Sequence, residues 1–171
     1  LSLSLSLSLP FSQGNDKGCS LCAFILDQFF GGIAHLKPRA SFAVVAKAEF
    51  SVLLPYATGK GTWDTSMFYS ASENTFNEDF QVSFTPEQMS SDPKTTTYNY
   101  NRKWMFGSEA PGISVFRLDR ESNKIYHTYS TFAAGMGSLL PVMSLIDLTP
   151  DGRQEKEMGQ NFFWVKHKEA Y

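Results

Sequence analysis

The chain has only two cysteines in 171 residues, too few to staple a small secreted scaffold. No run of about 18 apolar residues occurs, so no membrane-spanning helix is expected. A basic excess is also missing. Lys plus Arg count 15 against 17 Asp plus Glu, for a net charge of −2, which argues against a nucleic-acid partner. His35, His127 and His167 are widely spaced, and no second cysteine pair exists. A structural zinc site needs about four ligands and finds little support. Gly135-Met136-Gly137 is not followed by the Gly-Lys-Ser/Thr of a phosphate loop. Ser138 has no nucleophile-elbow pattern around it. What the chain does have is 42% apolar and 15% aromatic residues, with 15 Phe, 7 Tyr and 3 Trp. That is enough to build a core within one domain, and too apolar for a disordered chain.

The sequence opens with strict Leu/Ser alternation from Leu1 to Leu9, followed by Pro10. It has neither the basic start nor the continuous apolar stretch of a signal peptide. Alternation alone fits a half-buried strand. A CTCTCT nucleotide repeat also reads as Leu-Ser, so residues 1–12 are expected to be a low-complexity segment, disordered or a translated simple repeat. Residues 13–171 are expected to form a single domain.

Apolar residues at Cys22, Leu26, Phe29, Ile33 and Leu36 predict a helix over 19–36, with Asp16 as a possible cap. Gly31-Gly32 predicts a bend or break within it. Ser41–Lys47 reads as a buried strand, Glu49–Tyr56 as a short helix or turn near Pro55, and Met67–Ala71 as another strand. One helical turn is expected over 75–80, capped by Asn74. Residues 81–110 show no clear period and are expected to be a partly ordered insertion over one edge of the fold. Ile113–Leu118 and Ile125–Ser130 predict a hairpin. Gly137–Asp147 predicts a helix capped by Ser138, with Pro141 near its first turn. Phe162–Lys166 reads as a short strand or a docked aromatic tail. Early strands alternating with helices, followed by a hairpin, predict an α/β fold with a mixed sheet covered by helices.

Cys19-Ser20-Leu21-Cys22 carries the clearest chemistry. Two cysteines placed at random fall three apart in about 1% of arrangements, so the spacing is informative. At a helix start, residues three apart are neighbours on one face. The free N–H groups and positive dipole end there favour a thiolate. Cys19 is the candidate nucleophile and Cys22 the resolving thiol, with Lys17 adding positive charge. The competing reading makes Cys22 a core residue and Cys19 a bystander. Asp27 is either a proton acceptor for Cys22 or a solvated acid. His127, sharing a strand face with Ile125 and Tyr129, is expected to be a packed strand histidine rather than a base. Tyr98, Tyr100 and Trp104 either line a pocket or pack.

The order of motifs from Cys19 to Tyr171 resembles the thioredoxin-like family catalogued as domain of unknown function 899. The match runs through Cys19–Cys22, Ala34-His35-Leu36, Ser41–Lys47, Phe76–Phe80, Tyr98-Asn99-Tyr100, Pro111–Phe116, His127–Thr131, Leu145–Arg153 and Trp164–His167. The resemblance implies a thioredoxin-like mixed sheet flanked by helices. Thioredoxins proper carry Trp before the cysteine motif and Gly-Pro inside it, where this chain has Gly18 and Ser20-Leu21. Alignment puts Ser114 where they carry a cis-proline, with Pro111 three residues earlier. Phe11–Gly18 fills the place of the central strand with polar, turn-like sequence. The sheet is therefore expected to lack or replace its first central strand, through truncation or misannotation at the front. The function expected is a cytoplasmic thiol–disulfide oxidoreductase acting on a protein or small thiol/disulfide substrate. It needs no metal or organic cofactor. The alternative is a non-catalytic binding domain using residues 98–104 as its contact surface. A thiol peroxidase ranks lower, because position 16 is Asp rather than the usual Thr.

Overall fold

The structure is a computed structural model and describes residues 2–9, 18–90, 98–101, 107–159 and 161–171. The Leu/Ser repeat has the two-residue period of an extended chain, and Ser2–Leu9 forms strand β1. The other strands are β2 (Ser41–Ala46), β3 (Phe68–Ser70), β4 (Gly112–Asp119) and β5 (Lys124–Phe132). They build one mixed sheet in the order β3-β2-β1-β4-β5. β1 runs parallel to β2, from Ser4 opposite Ser41 to Leu9 opposite Ala46, and antiparallel to β4, from Ser2 opposite Leu118 to Ser8 opposite Gly112.

Of the two outcomes expected for the front of the chain, a missing central strand or a replaced one, the structure shows the replacement. Ser2–Leu9 takes the central position, and no gap separates β2 from β4. A backbone ladder on both sides asks for extended geometry more than for particular side chains, and the alternating sequence supplies that geometry. The expected disorder of residues 10–12, and the polar stretch up to Lys17, lie outside the described residues.

Helix α1 (Ser20–Leu36) buries Cys22, Ala23, Ile25, Leu26 and Phe30 at helical spacing. Helix α2 (Phe50–Gly59) adds Leu53 and Ala57 to the same core, with Phe42, Val44 and Ala46 of β2 and Ile113 of β4. Of the helix or turn expected near Pro55, the structure has the helix, which runs through Pro55 to Gly59. An aromatic stack fastens α1. Phe30 lies parallel to Trp63 at 6.0 Å and to Phe68 at 5.9 Å, and edge-on to Phe42 at 5.9 Å. The expected break at Gly31-Gly32 does not occur. Both glycines face solvent, and an added Cβ at either meets nothing within 4 Å. Their cost is conformational entropy alone, so Gly31→Ala and Gly32→Ala should each raise stability by up to about 1 kcal/mol, read as a higher urea midpoint.

Helix α3 (Phe76–Asp79) is the predicted single turn, and Asn74 Oδ1 accepts from Phe76 N at 3.0 Å. Short turns follow at α4 (Pro86–Ser90) and α5 (Tyr98–Asn101), the latter with Asn99 and Tyr100 left-handed. Tyr98 is buried, donating to Pro111 O at 2.7 Å and accepting from Ala133 N at 3.1 Å. With Val82, Phe84, Ala110 and Phe132 it forms a second core cluster. The late helix α6 (Pro141–Asp147) begins at its proline, whose fixed φ and missing N–H suit a first helical position. Ser138 is not its cap but donates to Gly135 O at 3.3 Å, inside a 3-10 stretch over 133–139. After α7 (Glu155–Met158), the tail docks as an aromatic segment and not as a strand. Trp164 packs edge-on against Phe24 at 5.4 Å, and its indole N–H donates to Glu155 at 3.0 Å.

A polar network joins α3 to the segment before β4. Asn77 is fully buried; its Nδ2 donates to Glu109 Oε2 at 3.2 Å, and the Ser83 hydroxyl donates to the same oxygen. Among the described residues Asn77 Oδ1 has no hydrogen-bond partner. Burial pushes the Glu109 carboxyl above its ordinary value, against the lowering effect of Ser83 and Asn77. A carboxyl raised in the folded chain holds its proton more tightly there than when unfolded. Its ionisation therefore costs stability as pH rises from the unfolded value of about 4.3 through the folded one, and the loss then levels off. Glu109→Gln should flatten that decline, measured as urea midpoints between about pH 4 and 8.

Candidate functional site

α1 begins where the parallel strands end. Leu9 of β1 and Ala46 of β2 close that edge of the sheet, and Gly112 opens β4 beside them. Clefts outside the carboxyl ends of parallel strands are where α/β proteins place their chemistry. Cys19 is itself the N-cap of α1, with extended φ −86° and ψ 122°, and its Sγ accepts from Cys22 N at 3.4 Å. The sulfur thus occupies the position that a serine or aspartate oxygen takes in ordinary capping. Asp16, the expected cap, and Lys17, the expected cationic neighbour, lie outside the described residues.

Cys19 is partly exposed, Cys22 is buried one turn further in, and both are free thiols. A hydrogen bond from the Cys22 thiol, helped by the backbone N–H groups of Cys22 and Leu21, outweighs burial and brings the Cys19 thiol down to about 6. Burial pushes Cys22 the other way, well above its ordinary value, and the neighbouring Cys19 adds to that. The two thiols are thus pushed apart, with the thiolate favoured at Cys19 and the protonated form at Cys22.

Gly18, just before the cap, has φ +63°, and a Cβ there would lie 2.7–2.8 Å from the ring and hydroxyl of Tyr56. The glycine lets the chain turn into α1 while Tyr56 closes over it. Sequence spacing gave no hint of Tyr56. Nor did it find the groups behind that ring. Lys60 Nζ sits 5.1 Å above the Tyr56 ring and bonds His167 Nδ1 at 3.1 Å and Glu169 Oε2 at 3.3 Å. More than a hundred residues separate Lys60 from the tail, so only the folded chain reveals the cluster.

Asp27 is not directed at Cys22. It accepts from the Trp63 indole at 2.8 Å and pairs with Lys168 at 3.5 Å. His127 packs on the rings of Phe80 and Phe116 at 5.3 and 5.4 Å, with Nε2 at 2.7 Å from Ser130 Oγ. A bulge at Thr128 sets Phe116 opposite His127 and Val115 opposite Tyr129. His127 and Tyr129 therefore point to opposite faces, correcting the shared face expected from simple alternation. Ser114 is not at the start of β4. It lies inside the strand, its hydroxyl 2.9 Å from that of Ser130, while Pro111 immediately precedes the strand. Described peptide bonds are all trans. Tyr98 is core and Tyr100 is exposed; Trp104 lies outside the described residues.

Among the described residues no group of three or more His, Cys, Asp or Glu side chains could hold a metal ion, and no helix is long and apolar enough to cross a membrane. No curated protein and no solved structure matches the chain. Residues 7–171 match the family described as bacterial protein of unknown function, DUF899, so the match takes in the end of β1 as well as both cysteines and the docked tail. By that match, which spans nearly the whole chain, the protein belongs to the DUF899 family.

Proposed function

We propose that this protein is a cytoplasmic thiol–disulfide oxidoreductase of thioredoxin-like fold. The reading rests on the partly exposed Cys19 sulfur capping α1, 3.4 Å from Cys22 N, with Cys22 buried behind it. The mixed sheet supports it: a parallel β1-α1-β2 unit is joined to an antiparallel β4-β5 hairpin and α6, as a thioredoxin-like fold would require.

In the reaction, the Cys19 thiolate attacks one sulfur of a substrate disulfide. The substrate S–S bond breaks, a Cys19–substrate disulfide forms, and the departing sulfur leaves as a thiolate that takes up a proton. Cys22 then loses its proton and attacks Cys19. This closes the Cys19–Cys22 disulfide and releases the second substrate thiol. Two electrons pass from the cysteine pair to the substrate, and an external dithiol returns them.

The test is the pH dependence of alkylation by iodoacetamide on the reduced protein. Cys19 should react with a midpoint at about pH 6, with Cys22 silent. A midpoint at the ordinary thiol value of about 8.5, or thiols that react only after unfolding, would overturn the reading and favour a non-catalytic binding domain.

A further inference from the structure

Beside the cysteine pair lies an open cleft of about 450 Å³, lined by Pro55, Tyr56, Lys60, His167, Glu169 and Ala170 among others. That volume suits a small molecule. Tyr56 ties the cleft to the chemistry, since the ring that lines it also lies against Gly18, the residue before Cys19. Whatever fills the cleft therefore lies against the ring that packs on the residue before Cys19.

The cleft's sheltered cation is the Lys60 ammonium, which also lies 3.1 Å from His167 Nδ1. Its side chain is only 10% exposed, yet its carboxylate partner Glu169 is 49% exposed, on a single 3-10 turn (Lys168–Ala170) at the chain's end. The contact of 3.3 Å is long for an ammonium–carboxylate bond, which is usually 2.7–2.9 Å. A second ammonium stands behind the first: Lys168 Nζ bonds Lys60 O at 2.8 Å and Thr62 Oγ1 at 2.9 Å. A sheltered cation is thus held loosely by an exposed, replaceable anion, beside apolar surface from Pro55, Tyr56 and Ala170.

We propose that this cleft binds the carboxylate end of a small anionic disulfide substrate, with Lys60 as the carboxylate's partner and Glu169 as a resident stand-in that the substrate displaces. The proposal rests on the thiol–disulfide reading of Cys19 and adds the class of substrate. Apolar surface beside Lys60 receives the body of the ligand, and the disulfide sulfur then reaches Cys19 past the Tyr56 ring.

The test oxidises the reduced full chain with three small disulfides: anionic dithiobis(nitrobenzoate), neutral dithiodipyridine and cationic cystamine. Each rate is divided by that of mercaptoethanol with the same reagent. Lys60→Gln should lower the normalised rate with the anionic reagent about tenfold, and Glu169→Gln should raise it about threefold, with little change for the neutral one. Glu169 is exposed, so its variant reports even where Lys60→Gln fails to fold. Equal changes with all three reagents, or no change from Glu169→Gln, would overturn the cleft assignment while leaving exchange at Cys19 intact. If the parent chain exchanges with none of them, the thiol–disulfide reading fails and this assignment fails with it.

Discussion

Cys19→Ser should abolish disulfide exchange, lowering its rate by about a thousandfold or more, because a serine hydroxyl stays protonated where the thiolate attacks. Circular dichroism and melting should barely change, since Ser also caps helices well. Cys22→Ala separates the two roles. It should leave one exchange step but no second, so that a mixed disulfide accumulates on Cys19 and appears as an added mass. It also removes the thiol hydrogen bond that does most to lower Cys19. The alkylation midpoint should therefore rise from about 6 towards the ordinary thiol value. A midpoint unmoved by Cys22→Ala would mean that the helix start alone holds the thiolate.

Phe30→Ala should cost about 3–5 kcal/mol, the range for truncating a buried aromatic. Phe30 touches three rings, Trp63, Phe68 and Phe42, which come from three separate parts of the chain. The loss is a cavity at the joint that seats α1 on the sheet, together with the ring-pair contributions. Urea unfolding followed by Trp fluorescence reads it directly, because Trp63 is one of the partners. A loss below about 1 kcal/mol would mean that the stack repacks freely around the gap.

Periodic segments were legible from the sequence because their burial follows their own spacing. α1, β2, β3 and the β4-β5 hairpin came out within a few residues of their observed ends. The cysteine pair was legible for the same reason, since three residues at a helix start fix a shared face. The misreadings have separate physical causes. Gly31-Gly32 lowers helix propensity, but the buried residues before and after it keep α1 continuous. The Thr128 bulge reverses side-chain facing without leaving a composition signal. The composition of β1 resembles a translated nucleotide repeat, but its two-residue period is the signal the strand obeys. The Tyr56–Lys60–Glu169 cluster depends on the tail returning to α2, and no local pattern encodes such a return.

The makeup of β1 has one further consequence. Its sequence has translational symmetry: sliding the strand by two residues brings the same residue types opposite the same partners. Each such step is a shift of about 6.6 Å, larger than a disulfide's reach. A central strand that is nearly indifferent to its own position cannot act as the ruler that places the Cys19 sulfur. That precision comes from the fully enclosed flank of α1, where Ala23, Ile25 and Leu26 lock the helix against the rest of the core.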